Sequence, residues 1–130
     1  MERFEVTTSR REQLIDVTHS VAEVAGALGV LEGAVLVYCP HTTAAITVNE
    51  NADPAVPADL VEGLRRLAPR DAGWTHSEGN SDGHLKSSLV GASEVVPVSG
   101  GRLALGAWQG IWLCEVDGPR RRTVWVQRLG

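Results

Sequence analysis

The chain has 130 residues, enough for about one domain with a real core. Apolar residues make up 43% and charged residues 22%, with a formal net charge of −4. That balance is ordinary for a globular protein and argues against a general nucleic-acid binder, whose footprint is usually basic. No apolar run approaches the roughly 18–20 residues that cross a bilayer. The start, Met-Glu-Arg-Phe-Glu, lacks the basic and apolar regions of a signal peptide. The expected location is cytoplasmic, with no membrane and no nucleic-acid partner, and one domain over residues 1–130.

In chain order, Phe4 to Thr8 alternates like a strand, and Gln13 to Val17 reads as a second. Val17, Val21, Val24 and Leu28 recur at helical spacing, so a helix is expected from Val17 to Leu28. Gly29 stops it, and Asp16, or Ser20 with Glu23, caps its start. Ala34 to Cys39 is a continuous apolar run, the pattern of a central strand. Ala44 to Glu50 places Ala44, Ile46, Val48 and Glu50 on one face and Ala45, Thr47 and Asn49 on the other. Asp53-Pro54 is a helix start, a capping carboxylate followed by proline. Val56, Leu60, Leu64 and Leu67 supply the apolar stripe of that helix, and Pro69 ends it.

Arg70 to Gly83 is polar and aperiodic, and connections of that length tend to be functional. A short helix is expected from His84 to Val90, ended by Gly91. The last third reads as strands: Ser93 to Val98, Arg102 to Leu105, Trp108 to Glu115 and Thr123 to Gln127. Gly100-Gly101 and Asp117-Gly118-Pro119 mark turns. Cys39 and Cys114 lie in apolar runs and read as buried free thiols. The sum is an α+β fold with about seven mostly antiparallel strands and about three helices.

Chemistry is concentrated in polar segments. His41 follows a central strand, His76 lies in the long loop and His84 at a helix start. Three imidazoles with an open position are the layout of a catalytic zinc site, and neutral imidazole also suits iron or nickel. A lone surface histidine is the bland alternative for each, and the only reading of His19. Asn49, Glu50, Asp53 and Asp59 could bind metal, orient an imidazole or cap a helix. Ser77 to Gly83 offers backbone amides and hydroxyls. Lys86, Ser87 and Ser88, placed in the first turn of the following helix, make a phosphate site there. Arg120, Arg121 and Arg122 form a basic cluster that is either a second phosphate contact or a protected strand edge. Trp108 and Trp112 share a strand face with Gly110 between them, while Gln109 points the other way.

Three blocks in order carry a family resemblance. They are His41-Thr-Thr-Ala-Ala-Ile-Thr-Val-Asn-Glu-Asn-Ala-Asp-Pro-Ala-Val, His84-Leu-Lys-Ser-Ser-Leu-Val-Gly and Gly106-Ala-Trp-Gln-Gly-Ile-Trp. Together they resemble the YjbQ-like family, whose members are called secondary thiamine-phosphate synthases. The resemblance implies a compact α+β fold around a β-sandwich-like core, a homotrimer and clefts near subunit boundaries. It implies functional positions at His41, Thr42, Asn49, Glu50, Asp53, His76, His84, Lys86 and Gln109. The reaction it implies joins a pyrimidine pyrophosphate to a thiazole phosphate and releases pyrophosphate.

The resulting expectation is a metal-dependent enzyme acting on a phosphorylated small molecule. The divalent metal, zinc in the first instance, is expected on His41, His76 and His84. Asn49, Glu50, Asp53, Lys86 and Gln109 are the expected catalytic residues. Thr42, Thr43, Ser87 and Arg121 are the expected ligand-holding residues. A non-catalytic phosphometabolite-binding module and a metal-dependent hydrolase are the alternatives.

Overall fold

A computed structural model describes residues 1–76 and 78–130; the expectation that Ser77 opens an anion site lies outside them. The strands are β1 (Glu2–Thr7), β2 (Gln13–Asp16), β3 (Gly33–Tyr38), β4 (Ala44–Glu50), β5 (Ser93–Ser99), β6 (Arg102–Leu103), β7 (Gln109–Glu115) and β8 (Arg121–Leu129). The helices are α1 (Thr18–Ala27), α2 (Ala55–Leu67) and α3 (Ser81–Val90). Two antiparallel sheets result, one in the order β1-β8-β3-β5-β6 and one in the order β2-β7-β4. The expected α+β architecture with a sandwich core is therefore present.

The core follows from strand alternation. Val35 and Val37, Val96 and Val98, and Val124 and Val126 project from one sheet. They meet Ala44, Ile46, Ile111 and Leu113 from the other. β-branched side chains lose little freedom on a pleated surface, which suits a valine-rich interface. Val17, Val21 and Ala25 bring α1 into the same cluster. Asp16 Oδ1 accepts from Thr18 N at 2.9 Å and from Thr18 Oγ1 at 2.5 Å, which secures the entry to α1.

The three-stranded sheet is covered on its other face as well. Ala45, Cys114 and Val116 form a second cluster there, against Leu64 of α2 and Val90 of α3. The five-stranded sheet is different. Its outer face stacks Tyr38 on Trp125 with ring centroids 5.7 Å apart, and leaves Val95 and Leu129 exposed. Both cysteines are free and buried as expected. Burial pushes the Cys39 thiol up and the Cys114 thiol up to about 12.

Four local expectations change. Helix α3 begins at Ser81, three residues before His84. Gly83 reads as a breaker in sequence, but a Cβ there would lie 3.0 Å from Val116 O, so the glycine serves close packing inside the helix. Lys86, Ser87 and Ser88 therefore fall beyond the first turn of α3. Leu67, expected in the apolar stripe of α2, is exposed, and Ala68 is buried in its place. The strand expected from Arg102 to Leu105 pairs only over Arg102–Leu103. The Gly100-Gly101 turn is as expected, with φ of 58° and 75°, the left-handed values a two-residue hairpin needs.

Candidate functional site

Most of the residues singled out by sequence separate into two groups at opposite ends of β4, with Lys86 and Arg121 in neither. At its start, the β3–β4 connection brings Pro40, His41, Thr42 and Thr43 beside Asn80 and His84. The β7–β8 connection adds Asp117 and Arg120, and the start of β8 adds Arg122, to the same cleft, which has a volume of about 350 Å³. A neighbouring hollow of about 510 Å³ shares His41, Thr42 and His84 and adds Ser87 and Ser88. Ser87 Oγ donates to Thr42 O at 2.9 Å, tying α3 to the β3–β4 connection. His76 and His84 meet edge to face with ring centroids 5.4 Å apart.

Behind this cleft lies a buried ion pair. Arg122 donates from Nε to Glu115 Oε1 at 2.9 Å and from Nη2 to Glu115 Oε2 at 2.5 Å. The same Nη2 reaches Thr43 O and Thr43 Oγ1, each at 2.9 Å. Thr8 Oγ1 donates to Glu115 Oε1 at 2.7 Å, and Asp117 N donates to Glu115 Oε2 at 3.1 Å. Gly118 makes room for this packing, since a Cβ there would lie 2.3 Å from Arg10 O. Arg120 donates to Asp117 O at 2.8 Å and to Asp117 Oδ2 at 2.9 Å. Asn80 Nδ2 donates to Asp117 Oδ2 at 2.9 Å, while its buried Oδ1 has no partner among the described residues.

His41 Nε2 accepts from Thr123 N at 2.9 Å. Burial lowers the His41 pKa, and the positive charge of Arg122 lowers it further, against a smaller opposing pull from Glu115. The ring is thus held neutral.

This hydrogen bond also bears on the metal. A neutral imidazole that ligates through one nitrogen keeps its proton on the other and needs an acceptor there. At His41 the second nitrogen faces a backbone donor, so the ring does not fit a metal centre as it stands. Among the described residues, no three of His, Cys, Asp or Glu are set to hold a metal ion.

A second polar system pins α3 from its other side. Arg11 grips Asp82 with two hydrogen bonds of 3.0 and 2.9 Å, and Lys86 Nζ donates to Asp82 Oδ2 at 2.6 Å. Lys86 Nζ also lies 3.0 Å from Glu12 Oε2, an ion-pair contact, and Arg65 Nε donates to Glu12 Oε1 at 2.8 Å. Burial alone would raise the Asp82 carboxyl, but the hydrogen bonds from Arg11 and Lys86 bring it down to about 2. For Glu12, burial likewise raises the pKa and the bonds from Arg65 and Lys86 outweigh it, leaving it lowered. Lys86, expected in catalysis, is buried in this network and does not line the His41 cleft.

The remaining expected residues sit at the far end of β4, about 23 Å from Thr43 at the usual rise per strand residue. There Asn49 Oδ1 accepts from Glu50 N at 2.7 Å, and Glu50 Oε2 from Asp53 N at 3.3 Å. Asp53 Oδ1 accepts from Ala55 N at 2.9 Å, the capping bond its place before Pro54 predicts. Gln109 Oε1 accepts from Gly106 N at 2.7 Å. Each of the four thus carries a backbone bond. Trp108 is 67% exposed beside them, and Trp112 is buried with its Nε1 donating to Asn49 O at 3.3 Å.

Arg121, chosen from the basic cluster, points outward toward Glu5 at 3.6 Å. Arg120 and Arg122 line the cleft instead. The strand period carries that signal, because Arg122 is in phase with the buried Val124 and Val126, and Arg121 is out of phase. Asp117 is the cleft residue that sequence reasoning does not find, having only a turn position to mark it.

No helix is long and apolar enough to cross a membrane among the described residues. The YjbQ-like UPF0047 family model matches residues 2–130. UPF0047 protein MJ1081 of Methanocaldococcus jannaschii is 45% identical over 98% of this chain and 93% of its own. UPF0047 protein YugU of Bacillus subtilis is 45% identical over 100% of this chain and 99% of its own. A crystal structure of a conserved YjbQ/UPF0047 protein from Clostridium acetobutylicum superposes with a TM-score of 0.97 at 43% identity. It covers 99% of this chain and 100% of that one. With family model, close relatives and fold in agreement over nearly the whole length, the chain belongs to the YjbQ-like UPF0047 family.

Proposed function

We propose that this protein is an enzyme acting on a small phosphorylated molecule, bound in the cleft between His41, His84 and Arg120. The observation that supports it most is the cleft's mixture of two imidazoles, Asn80, Asp117 and a partly exposed guanidinium in a space of small-molecule size. Arg120 and the His84 ring would hold phosphoryl oxygens. The Arg122–Glu115 pair fixes the wall against which they work, and so keeps the donors in place as charge develops.

The reaction we favour is a transfer that releases pyrophosphate, as in joining a pyrimidine pyrophosphate to a thiazole phosphate. Such a step needs donors aimed at the leaving phosphates and little covalent help from the protein. A divalent cation, zinc first, would neutralise leaving-group charge, and His76 and His84 are the residues to hold it once His41 is set aside. The test supplies both substrates and follows thiamine phosphate and pyrophosphate. Free phosphate in place of pyrophosphate would identify a hydrolase, and ligand binding without turnover a binding module. Arg120→Ala is expected to weaken inorganic pyrophosphate binding about 10- to 100-fold, the worth of one charge-assisted hydrogen bond. An unchanged affinity by calorimetry would sink the assignment of Arg120.

The two ends of β4 lead to a second part of the proposal. A working site that uses Asn49, Glu50, Asp53 and Gln109 along with His84 takes them from two subunits of a homotrimer. The bare outer face around Tyr38, Trp125 and Val95, and exposed Trp108, are apolar surfaces suited to burial against a second copy. Sedimentation is expected to give three chains per particle. Mixing Glu50→Gln and His84→Ala subunits after dissociation should restore activity that neither variant has alone. No recovery in mixed trimers would leave the site within one chain.

A further inference from the structure

We propose that His41 recognises the ligand as a neutral hydrogen-bond donor, with Thr123 N–H selecting the ring tautomer that puts its proton on Nδ1. A neutral imidazole has one N–H and one lone pair. The lone pair on Nε2 is taken by the Thr123 amide at 2.9 Å, so the proton belongs to Nδ1. Among the described residues Nδ1 has no hydrogen-bond partner, and the half-buried ring lines both the 350 Å³ cleft and the 510 Å³ hollow beside it.

Protonating Nε2 would set two donors against each other next to the Arg122 guanidinium. The neutral state is therefore reinforced from two directions, by the amide and by the cation. What faces the ligand is an N–H, which cannot serve as a base and has no lone pair for a metal. It matches an acceptor, and in a cleft read as a phosphate site that acceptor is a phosphoryl oxygen. The inference rests on that reading for the ligand's identity, but not for the tautomer. It gives His41 a role separate from His84, whose ring has no backbone bond fixing either nitrogen among the described residues.

Two measurements test it on the full chain. Two-bond proton–nitrogen correlation spectra at neutral pH should show His41 with a protonated Nδ1 and a bare Nε2. Inorganic pyrophosphate should shift Nδ1, and added zinc should leave the Nδ1 proton in place. A protonated Nε2, an imidazolium, or a proton displaced by zinc overturns the proposal. In the second, His41→Asn supplies an amide N–H near the Nδ1 position, so pyrophosphate affinity should stay within about threefold of the parent. His41→Asp and His41→Ala should lose about tenfold or more, as for loss of a hydrogen bond to a charged group. Asparagine behaving like alanine overturns the donor role. If the parent binds no pyrophosphate, the phosphate reading and the ligand half of this proposal both fall, while the spectra still decide the tautomer. A wrong tautomer with intact binding overturns this proposal alone.

Discussion

Arg122→Met is expected to destabilise the fold by about 3–5 kcal/mol, the usual cost of leaving half of a buried ion pair. Arg122 is 4% exposed and Glu115 is fully buried. Removal of the guanidinium takes four hydrogen bonds from the Glu115 carboxylate and Thr43 at once. Thr8 Oγ1 and Asp117 N would remain, too little to solvate a buried anion. A domain of this size has a total stability of about 5–15 kcal/mol, so the variant should be marginal. A fall in melting temperature of about 10–20 °C follows, readable by calorimetry. The double variant Arg122→Met with Glu115→Leu should recover much of the loss, since neither charge is then stranded. A single-variant cost below about 1 kcal/mol would mean that water reaches Glu115, and the pair would lose its place as the rigid wall of the cleft.

The second large effect concerns acid. Asp82 is fully buried, and its folded pKa of about 2 lies below the ordinary 3.8. A depressed carboxylate contributes stability that is complete above its unfolded pKa and lost as pH falls through the folded one. Asp82 should therefore supply about 2 kcal/mol at neutral pH, disappearing between roughly pH 5 and pH 2. Glu12 acts in the same direction, its pKa also being lowered. Asp82→Asn should flatten this acid limb in urea titrations at stepped pH. It should also destabilise the protein at neutral pH, because Lys86 loses its 2.6 Å partner and Arg11 loses both of its bonds. An unchanged acid limb would mean that carboxylates elsewhere govern acid unfolding. The site would register the change too, since His84 stands on α3 between Asp82 and Lys86.

Local patterns carried much of the fold. The run from Ala34 to Cys39, the helical spacing from Val17 to Leu28 and the Gly100-Gly101 turn each reflect a preference of a few neighbouring residues. Binary alternation then separates the sandwich interior from its surface. The failures share a different cause. Gly83 breaks helices by propensity, yet it lies within α3 because Val116 O approaches where a Cβ would stand. Lys86 reads as a phosphate-binding cation at a helix start, yet Glu12 and Asp82, one of them far away in sequence, draw it inside. The candidate site was legible as a set of residue types but not as a place. His41 and His84 share a cleft, while Glu50, Asp53 and Gln109 lie one strand length away. Sequence order cannot reveal which end of a strand faces which loop.

The pairing of β1 with β8 has a further consequence. Glu2 lies opposite Val126 and Thr7 opposite Arg121, and β8 lies between β1 and β3 in its sheet. Strand β8 thus joins β1 to the rest of its sheet. Closure of the long loop between these strands must precede any reward from those contacts, so folding is expected in the slow, millisecond-to-second regime of non-local β topologies. Without β8, β1 and one side of β3 are open edges. Open strand edges of this kind favour self-association in competition with folding, and pairing of β8 removes them.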